Sequence, residues 1–298
     1  MVPYGTRNAY IAAGWTEEVF KGGVVEENPK FIAFADANIK AISVTNWDTD
    51  CDSEISYDEA ATIYSLENVF SKNTTITSFN ELQYYTGLSK IEYGAFEGCT
   101  SLTSITIPYS ATSIENVAFK DCTDLISIQI PNSVTSIGEG AFEGCTSLKS
   151  ITIPNSVKNI REWTFYKCYG LTKIAIPNSV TSIECGAFGE CTNMKDICVS
   201  HEDPNLYGCD SNAFYQVDKS TCVLHVPVGC KEAYATTSPW NEFTNIVEEV
   251  LTGIKGVENE VKKADAYYNL QGQRMTEPQR GLNIIRYSNG TSKKVLVK

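Results

Sequence analysis

A short acidic segment carries the residues of this chain whose types and spacing could do chemistry. Carboxylates recur at every second position from Asp48 through Asp50 to Asp52, and Glu59 follows seven residues later. Oxygen donors at such intervals suit a hard cation such as Ca²⁺, which takes about six to eight oxygen ligands in a flexible geometry. We therefore expect a calcium site over residues 48–59. A solvated acidic turn is the alternative.

Residues 48–59 resemble the twelve-residue calcium loops of EF-hand and dockerin proteins. The resemblance implies ligands at alternating loop positions: Asp48, Asp50, Asp52, the carbonyl of Glu54, Ser56 and Glu59. Ser53 departs from the pattern, because the sharp turn at this position normally contains glycine, and a side chain there weakens the site. Helical spacing in DANIKAISVTNW and in DEAATIYSLENVF predicts a helix on either side of the loop, within residues 28–75.

Motifs for catalysis do not occur in this sequence. The chain has 2 His residues, His201 and His225, and they are not at metal-ligand spacing. Nucleophile, zinc-protease and phosphate-binding motifs are missing as well. A carboxylate pair of the glycosidase kind is the enzymatic alternative, but 36 acidic residues on a solvated surface supply carboxylates without any such role. We therefore expect no catalytic residues and no enzyme.

Most of the remaining chain consists of an internal repeat. Four segments, 101–123, 124–146, 147–169 and 170–192, align without gaps at a period of 23 residues, and residues 78–100 fit the same register. Two columns fix the alignment: Phe96, Phe119, Phe142, Phe165 and Phe188, and Cys99, Cys122, Cys145, Cys168 and Cys191. A sixth, irregular unit begins at Asn193.

Each unit predicts one coil of a solenoid. In residues 124–146, the L-x-x-I-x-I opening places Ile128 and Ile130 on one face of a short strand, which Pro131 ends because it has no N–H to donate. A second extended piece and a tight helical or 3-10 turn over A-F-x-x-C complete the coil. One unit buries too little apolar surface to offset the entropy of ordering it, so the units must stack.

The unit L-x-x-I-x-I-P-x-x-V-x-x-I-x-x-x-A-F-x-x-C resembles the BspA-type leucine-rich repeats of bacterial surface proteins, over roughly residues 78–250. The resemblance implies a right-handed leucine-rich-repeat solenoid with one short strand and one turn or short helix per rung. It also implies a secreted or outer-surface protein of a host-associated bacterium that adheres to host matrix proteins, cells or glycans. An architectural spacer without a specific ligand is the alternative function.

Charge and hydropathy limit the other classes of partner. The net charge of −12, with no basic run, disfavours binding to nucleic acid or anionic membranes, which depends on clustered Lys and Arg. No apolar stretch approaches the roughly 18 residues of a transmembrane helix. We expect the protein to be monomeric and to lie outside the cell or on its outer surface. The first 15 residues lack the pattern of a signal peptide, which we expect to lie upstream of this chain.

The outward positions of the strands form a candidate binding surface, which we call the strand lane. Its residues alternate with the buried Ile and are mostly short and uncharged: Ser104, Thr106, Ser127, Gln129, Ser150, Thr152, Lys173, Ala175, Asp196 and Cys198. Bulky aromatics that depart from the repeat pattern, Trp163, Tyr166 and Tyr169, are candidate contact anchors, as is Tyr109. For any single lane residue, a side chain that merely suits a strand is the alternative.

The 11 cysteines do not indicate a disulfide framework. Five of them occupy one position of the repeat, where a small apolar side chain fits, so we expect buried free thiols there. Cys209 with Cys222 or Cys230 could pair in the irregular last rung. The odd total and the exposed position expected for Cys51 argue against such pairs.

Both ends of the chain differ from the repeats. Residues 1–27 match residues 223–250, the expected C-terminal cap of the array at 76–222, and we interpret them as the cap of an upstream array. A duplicated cap that serves as a stand-alone adaptor is the alternative. The calcium site would join the upstream array to the downstream array. A linker, 251–265, precedes residues 266–298, where strands are expected at 266–270, 281–287 and 293–297 with turns at Gly272 and Asn289-Gly290. The motifs Y-x-L-x-G-x-R, G-L-x-I and the final K-K-V-x-V-K resemble the C-terminal sorting domain of type IX secretion in the Bacteroidetes, which implies export to the cell surface. An ordinary β end piece is the alternative.

Overall fold

The computed structural model describes residues 30–206 and 208–249, together with the strands of the C-terminal tail at 264–268, 274–275, 281–287 and 292–297. The chain divides into two compact units, Met1–Ile254 and Lys255–Lys298. The expected cap over residues 1–27, the tail turns at Gly272 and Asn289-Gly290 and most of the linker lie outside the described residues.

The first unit contains a parallel β-solenoid of about seven turns. Its strands are β1 Ser78–Phe79, β2 Lys90–Ile91, β3 Ser104–Thr106, β4 Ser113–Ile114, β5 Ser127–Gln129, β6 Ser136–Ile137, β7 Asn159–Ile160, β8 Lys173–Ile176, β9 Ser182–Ile183, β10 Asp196–Val199, β11 Gly208–Cys209, β12 Val223–Pro227 and β13 Asn245–Glu249. All pairs among them are parallel, in the orders β1-β3-β5, β8-β10-β12-β13, β2-β4-β6 and β7-β9-β11. The predicted leucine-rich-repeat solenoid is thereby confirmed.

A continuous stack of aromatic rings runs through the interior of the solenoid. The fully buried rings from Phe96 to Phe214 lie 5.3 to 5.6 Å apart between centroids, and neighbouring planes differ by 1° to 12°. Phe70 adds one ring at the N-terminal end, 5.4 Å from Phe96. Because each ring contacts the ring of the next rung, the core is one cluster that spans the whole array.

The A-F-x-x-C segments form tight turns between the second strand of one rung and the first strand of the next, as between β4 and β5. In one such turn, the N–H of Cys122 bonds to the carbonyl of Phe119 at 3.2 Å, which is the i→i+3 pattern of a 3-10 turn. Each turn also bonds to the next rung; the N–H of Phe119, for example, donates to the carbonyl of Ala141 at 2.8 Å. The rungs are therefore joined by backbone hydrogen bonds at their turns as well as at their strands.

Two helices precede the first complete rung. Helix α1, Ala37–Trp47, agrees with the sequence prediction, and α2, Tyr57–Thr62, follows the acidic loop. The second predicted helix was expected to continue to Phe70, and this was wrong. The chain leaves the helix at Ile63 because the residues that follow form a repeat turn whose Phe70 enters the aromatic stack.

A C-terminal cap closes the other end of the array. Strand β12 leads into helix α3, Lys231–Thr236, as the sequence predicts. Three apolar side chains then cover the last rung and are buried: Trp240, Phe243 and Ile246. The Trp240 ring lies 5.6 Å from Phe214, the last ring of the aromatic stack. Shorter 3-10 helices occupy Asn80–Tyr84, Pro204–Leu206 and Trp240–Glu242.

The second unit contains an antiparallel sheet of four strands, β14 Ala264–Tyr268, β15 Arg274–Met275, β16 Gly281–Tyr287 and β17 Ser292–Val297. Their order is β15-β14-β16-β17. The three predicted strands correspond to β14, β16 and β17, with β14 beginning two residues earlier than expected. Strand β15 was missed because two residues are too short to show an alternation of apolar and polar side chains.

Candidate functional site

The acidic loop between α1 and α2 is curled around the side chain of Asp48. The two carboxylate oxygens of Asp48 accept hydrogen bonds from the N–H of Cys51 at 2.7 Å and from the N–H of Ser53 at 2.8 Å. Ser53 has a φ of 66°, the left-handed conformation that a glycine adopts most readily. Ser53 therefore takes the backbone shape expected of glycine at this position, at a small cost in free energy.

Three carboxylates converge in this loop. Asp48, Asp50 and Asp52 each offer an oxygen, and these three atoms all lie within 4.8 Å of one another. The donors are all oxygen, which is the chemistry that Ca²⁺ requires, so the residues present fit this ion. The ammonium group of Lys30 lies 3.8 Å from an oxygen of Asp52 and partly compensates the negative charge.

Glu59, the twelfth residue of the loop, is held by four hydrogen bonds. One carboxylate oxygen accepts from the N–H and the hydroxyl of Thr49, and the other accepts from the N–H and the hydroxyl of Ser56, all at 2.8 to 2.9 Å. Ser56 in turn caps α2 by accepting from the N–H of Glu59. Burial raises the pKa of Glu59, but these hydrogen bonds outweigh burial and lower the pKa to about 2. The structure thus fixes Glu59 as an anion at the edge of the loop.

Glu54 contributes to the loop in a different way. Its carboxylate forms an ion pair of 2.5 Å with Lys40 on α1, so only its backbone carbonyl corresponds to the sequence prediction. The next residue, Ile55, is completely buried, and its carbonyl accepts a hydrogen bond of 2.8 Å from the N–H of Ile32. These contacts anchor both sides of the loop to the surrounding chain.

The loop and its helices are attached directly to the first rung. Asp36 caps α1 through the N–H of Asn38, and its second oxygen accepts from the N–H of Thr77 at 2.5 Å and from the Thr77 hydroxyl at 2.8 Å. At the other end of α1, the Trp47 ring lies 5.9 Å from Phe70 and 5.8 Å from Tyr85. Helix α1 is therefore joined at both of its ends to the N-terminal end of the solenoid.

The strand lane follows the outward positions of the first strand of each rung. Ser104 pairs with Ser127 and Thr106 with Gln129, as expected from the 23-residue register. Ser127, Gln129, Ser150 and Thr152 are exposed; Ser104, Thr106 and Lys173 are partly exposed. Residues 150–153 adopt no regular strand, so this part of the lane is not hydrogen-bonded as a sheet.

The lane changes character toward the C-terminus. The expectation that Cys198 faces outward into solvent was wrong: it is 7% exposed and lies among the charged groups of Lys173, Asp196 and Glu249, while burial raises the pKa of its thiol. Its neighbour His225 bridges two carboxylates, with Nε2 2.8 Å from Asp196 and Nδ1 2.8 Å from Glu249.

Sequence reasoning missed this His225 cluster. His225 follows Asp196 at a distance of 29 positions along the chain, so the 23-residue period gave no signal for their proximity. Alignment of the last strands without a fixed spacing would have placed His225 opposite Cys198, two residues from Asp196.

The aromatic candidates lie on a different side of the coil, at the turn. Tyr166 donates a hydrogen bond to one oxygen of Glu190 at 2.6 Å, and Tyr169 donates to the other at 3.2 Å. The hydrogen bond to Glu190 raises the pKa of Tyr166 to about 12. Trp163 is 41% exposed, and Tyr109 is 80% exposed. The structure thus brings Tyr166 and Tyr169 together on a carboxylate that the sequence analysis had not considered.

All eleven cysteines are free thiols, including Cys209, Cys222 and Cys230. The five thiols of the repeat column are completely buried, as the sequence predicts. Among the described residues, no helix is both long and apolar enough to cross a bilayer.

Stacked parallel rungs with a shared Leu, Ile and Phe interior define a leucine-rich-repeat protein. The profile of the BspA type leucine rich repeat region matches in six copies, over residues 66–195 and 112–228, more than half of the chain, and the chain belongs to this family. The match begins at residue 66, in the turn that carries Phe70. No curated protein matches the sequence.

Several solved structures are similar to parts of the chain. A Treponema pallidum leucine-rich repeat protein is 24% identical, with a TM-score of 0.38, over 49% of this chain and 75% of that one. A leucine-rich repeat protein of Eubacterium ventriosum is 23% identical, with a TM-score of 0.42, over 48% and 43%. A leucine-rich cell surface protein of Faecalibacterium prausnitzii is 22% identical, with a TM-score of 0.37, over 69% and 48%. The chain thus spans less than half of the second and third.

Proposed function

We propose that this protein is a non-catalytic surface protein that binds host matrix proteins, cell-surface proteins or glycans through the outside of its solenoid. Proteins with leucine-rich repeats generally bind other proteins, and this supports an interaction role. The observation that carries the proposal is the alternation of buried apolar and exposed polar side chains along each strand. Ile128 and Ile151 are buried, while Gln129 and Thr152 beside them are exposed. The repeated apolar residues pack in the interior of the solenoid, and the polar residues of the outer face are available to contact a partner.

The strand lane is the main contact surface in this proposal, with Trp163, Tyr166 and Tyr169 as further anchors. Hydroxyl and amide side chains that recur at a regular spacing along the solenoid suit extended polar ligands, since they donate and accept hydrogen bonds without a strong charge. The aromatic side chains add contact area at a small cost in conformational entropy.

Binding of the full chain to immobilised matrix proteins, mucin and epithelial cells tests this function. We expect saturable binding that Gln129→Glu combined with Thr152→Glu weakens at least tenfold. The matched control is Asn132→Glu with Asn155→Glu, which adds the same charge to exposed positions of the same two rungs outside the lane. Equal loss in both double variants would contradict a role for the lane. A complete lack of saturable binding would favour the alternative, an architectural spacer.

We also propose that residues 48–59 bind Ca²⁺ through Asp48, Asp50, Asp52, the Glu54 carbonyl, Ser56 and Glu59. The convergence of three carboxylates and the left-handed backbone at Ser53 support this ion, which would neutralise the repulsion between the aspartates. The attachment of α1 to the first rung through Asp36 and Trp47 implies that calcium stabilises the N-terminal end of the array.

Isothermal titration of the full chain with calcium measures this site. We expect binding at micromolar to millimolar concentrations, which Asp48→Asn with Asp50→Asn removes. The control Asp58→Asn changes an exposed carboxylate within the loop that is not one of the proposed ligands. No heat at millimolar calcium would refute the site.

We propose that the C-terminal sheet is a sorting domain of type IX secretion. Retention of a chain that lacks this sheet inside the native bacterium would support this role.

A further inference from the structure

A shallow groove crosses the turn side of the solenoid between two exposed aromatic side chains. Its volume is about 210 Å³, and Tyr93 and Trp163 flank it. Tyr93 is 67% exposed and Trp163 is 41% exposed. The two residues are three rungs apart, and successive rungs are spaced like their Phe rings at 5.3 to 5.6 Å, so the groove extends about 16 Å along the solenoid.

The backbone at Trp163 is held in a conformation that disfavours a side chain. Its φ is 54°; glycine occupies the equivalent position at Gly94, Gly140 and Gly186, with φ of 58° to 62°, and Val117 occupies it with a φ of 51°. A non-glycine residue costs free energy here, and a large part of the indole remains in solvent. Strained positions are concentrated at functional sites, and the exposed indole at this one is available to a ligand.

The neighbouring glycines shape the groove around this indole. A Cβ atom on Gly186 would lie 2.5 Å from Cδ1 of Trp163, so the ring takes its position because residue 186 is glycine. On the other side, Gly140 is part of the groove lining, where the absence of a side chain leaves space between Val117 and Trp163. The indole is therefore fixed next to an open depression.

Polar groups line the groove between the two aromatic residues. Lys120 and Glu143 form an ion pair of 3.0 Å. The carboxylate of Glu139 has no partner among the described residues, and Asn116 uses its side-chain oxygen to accept the N–H of Glu139 at 3.0 Å, which leaves its amide donors exposed. Carboxylate, amide and ammonium groups thus lie next to each other, with donors and acceptors in near balance.

This combination favours a sugar over a peptide. A peptide that adds as a strand needs free backbone groups, but here the N–H of Val117 bonds to Glu139 and the N–H of Gly140 bonds to Glu162, both at 2.9 Å. The groove also lacks a deep apolar pocket for a peptide side chain. A sugar ring offers an apolar C–H face that can stack on an aromatic side chain, and its hydroxyls pair with carboxylate and amide groups.

We propose that the groove between Tyr93 and Trp163 binds a short, neutral oligosaccharide of about three sugar units. One sugar ring stacks on the indole of Trp163, and hydroxyls of the chain bond to Glu139 and to the Lys120–Glu143 pair. The inference rests on the proposed interaction function and names the ligand class for one part of the surface. It is separate from the strand lane, so the two assignments can fail independently.

The indole N–H resonance of Trp163 in the isotope-labelled full chain reports on this site. The probes are the β-1,4 trimer of N-acetylglucosamine, mannotriose and cellotriose, each titrated to 20 mM. We expect at least one to shift the resonance saturably, and Glu139→Gln to weaken its binding about tenfold or more. The variant Tyr109→Ser, which removes an exposed aromatic residue outside the groove, should bind as the parent does.

Trp163→Gly provides the decisive variant, because glycine occupies this position in neighbouring rungs and relieves the strained backbone. We expect it to keep the fold and the melting temperature while saturation-transfer signals of the trisaccharide disappear. No shift with any of the three sugars, or sugar binding that persists in Trp163→Gly, overturns the proposal. A lysine-rich peptide that shifts the resonance where the sugars do not would also overturn it. None of these results changes the matrix-binding test, which depends on the lane variants.

Discussion

The thiol of Cys145 donates a hydrogen bond to the backbone carbonyl of Phe119 in the preceding rung, with 3.1 Å between Sγ and the oxygen. The same contact, at 3.0 to 3.2 Å, recurs at the other four thiols of the repeat column, Cys99, Cys122, Cys168 and Cys191. Cysteine is small enough for this position and also supplies a donor to a buried carbonyl, which explains why it recurs where a small apolar residue alone would fill the space.

Replacing Cys145 with Ala should therefore destabilise the array. The substitution removes a buried sulfur atom and leaves the Phe119 carbonyl without this donor, so we expect the free energy of unfolding to fall by about 1–2 kcal/mol. Urea denaturation measures the change. Cys51→Ala is the control, because Cys51 is exposed and should change stability by less than about 0.5 kcal/mol. Equal effects of the two substitutions would argue against the contact.

The thiols should differ sharply in reactivity. Burial raises the pKa of Cys99 and Cys191 to about 12 and that of Cys145 well above its ordinary value, so little reactive thiolate forms in the folded state. With Ellman's reagent at pH 8, we expect Cys51 to react quickly and the buried column to react only after unfolding. Mass spectrometry of the labelled chain identifies the sites. Labelling of the column at the rate of Cys51 would show that the rungs open readily.

Low pH should destabilise the folded loop, because Glu59 becomes protonated. Its pKa in the folded state, about 2, lies below the ordinary value of 4.5, so the ionised group stabilises the folded state above about pH 4.5. That contribution is lost as the pH falls from 4.5 toward 2. We expect Glu59→Gln to be less stable than the parent at pH 6 and to lose less stability between pH 6 and pH 3. Glu67→Gln, at an exposed position, should follow the parent. Parallel pH profiles for all three proteins would contradict this role of Glu59.

The fold was predictable because the repeat places one Phe and one Cys at the same position in five successive rungs. Features that depart from the 23-residue spacing could not be predicted from the repeat. Phe70 precedes Phe96 by 26 residues and lacks a matching Cys, so the turn around it read as a helix. The groove at Trp163 depends on side chains from four rungs and on the absence of a side chain at Gly140, a combination that no single repeat unit reveals. The acidic loop was found from sequence because its donors are close neighbours along the chain.

The contact between Tyr85 and Ser43 offers a last test of how the helices are joined to the solenoid. The Tyr85 hydroxyl bonds to the Ser43 hydroxyl at 2.9 Å, and both residues are completely buried. Tyr85→Phe leaves the buried Ser43 hydroxyl without this partner, and we expect it to cost about 1–2 kcal/mol, as should Ser43→Ala alone. The double variant removes both polar groups and should cost less than the sum of the single variants.

Urea denaturation of the four proteins completes this double-mutant cycle. An interaction free energy of about 1 kcal/mol would show that the hydroxyl pair stabilises the contact between α1 and the first rung. Costs that simply add would mean that this hydroxyl pair contributes no coupling, and that α1 is joined to the rungs through its other contacts, at Asp36 and Trp47. The control pair, Tyr109→Phe with Thr45→Ala, alters exposed hydroxyls on the rung at residues 101–123 and on α1, and it should show no coupling.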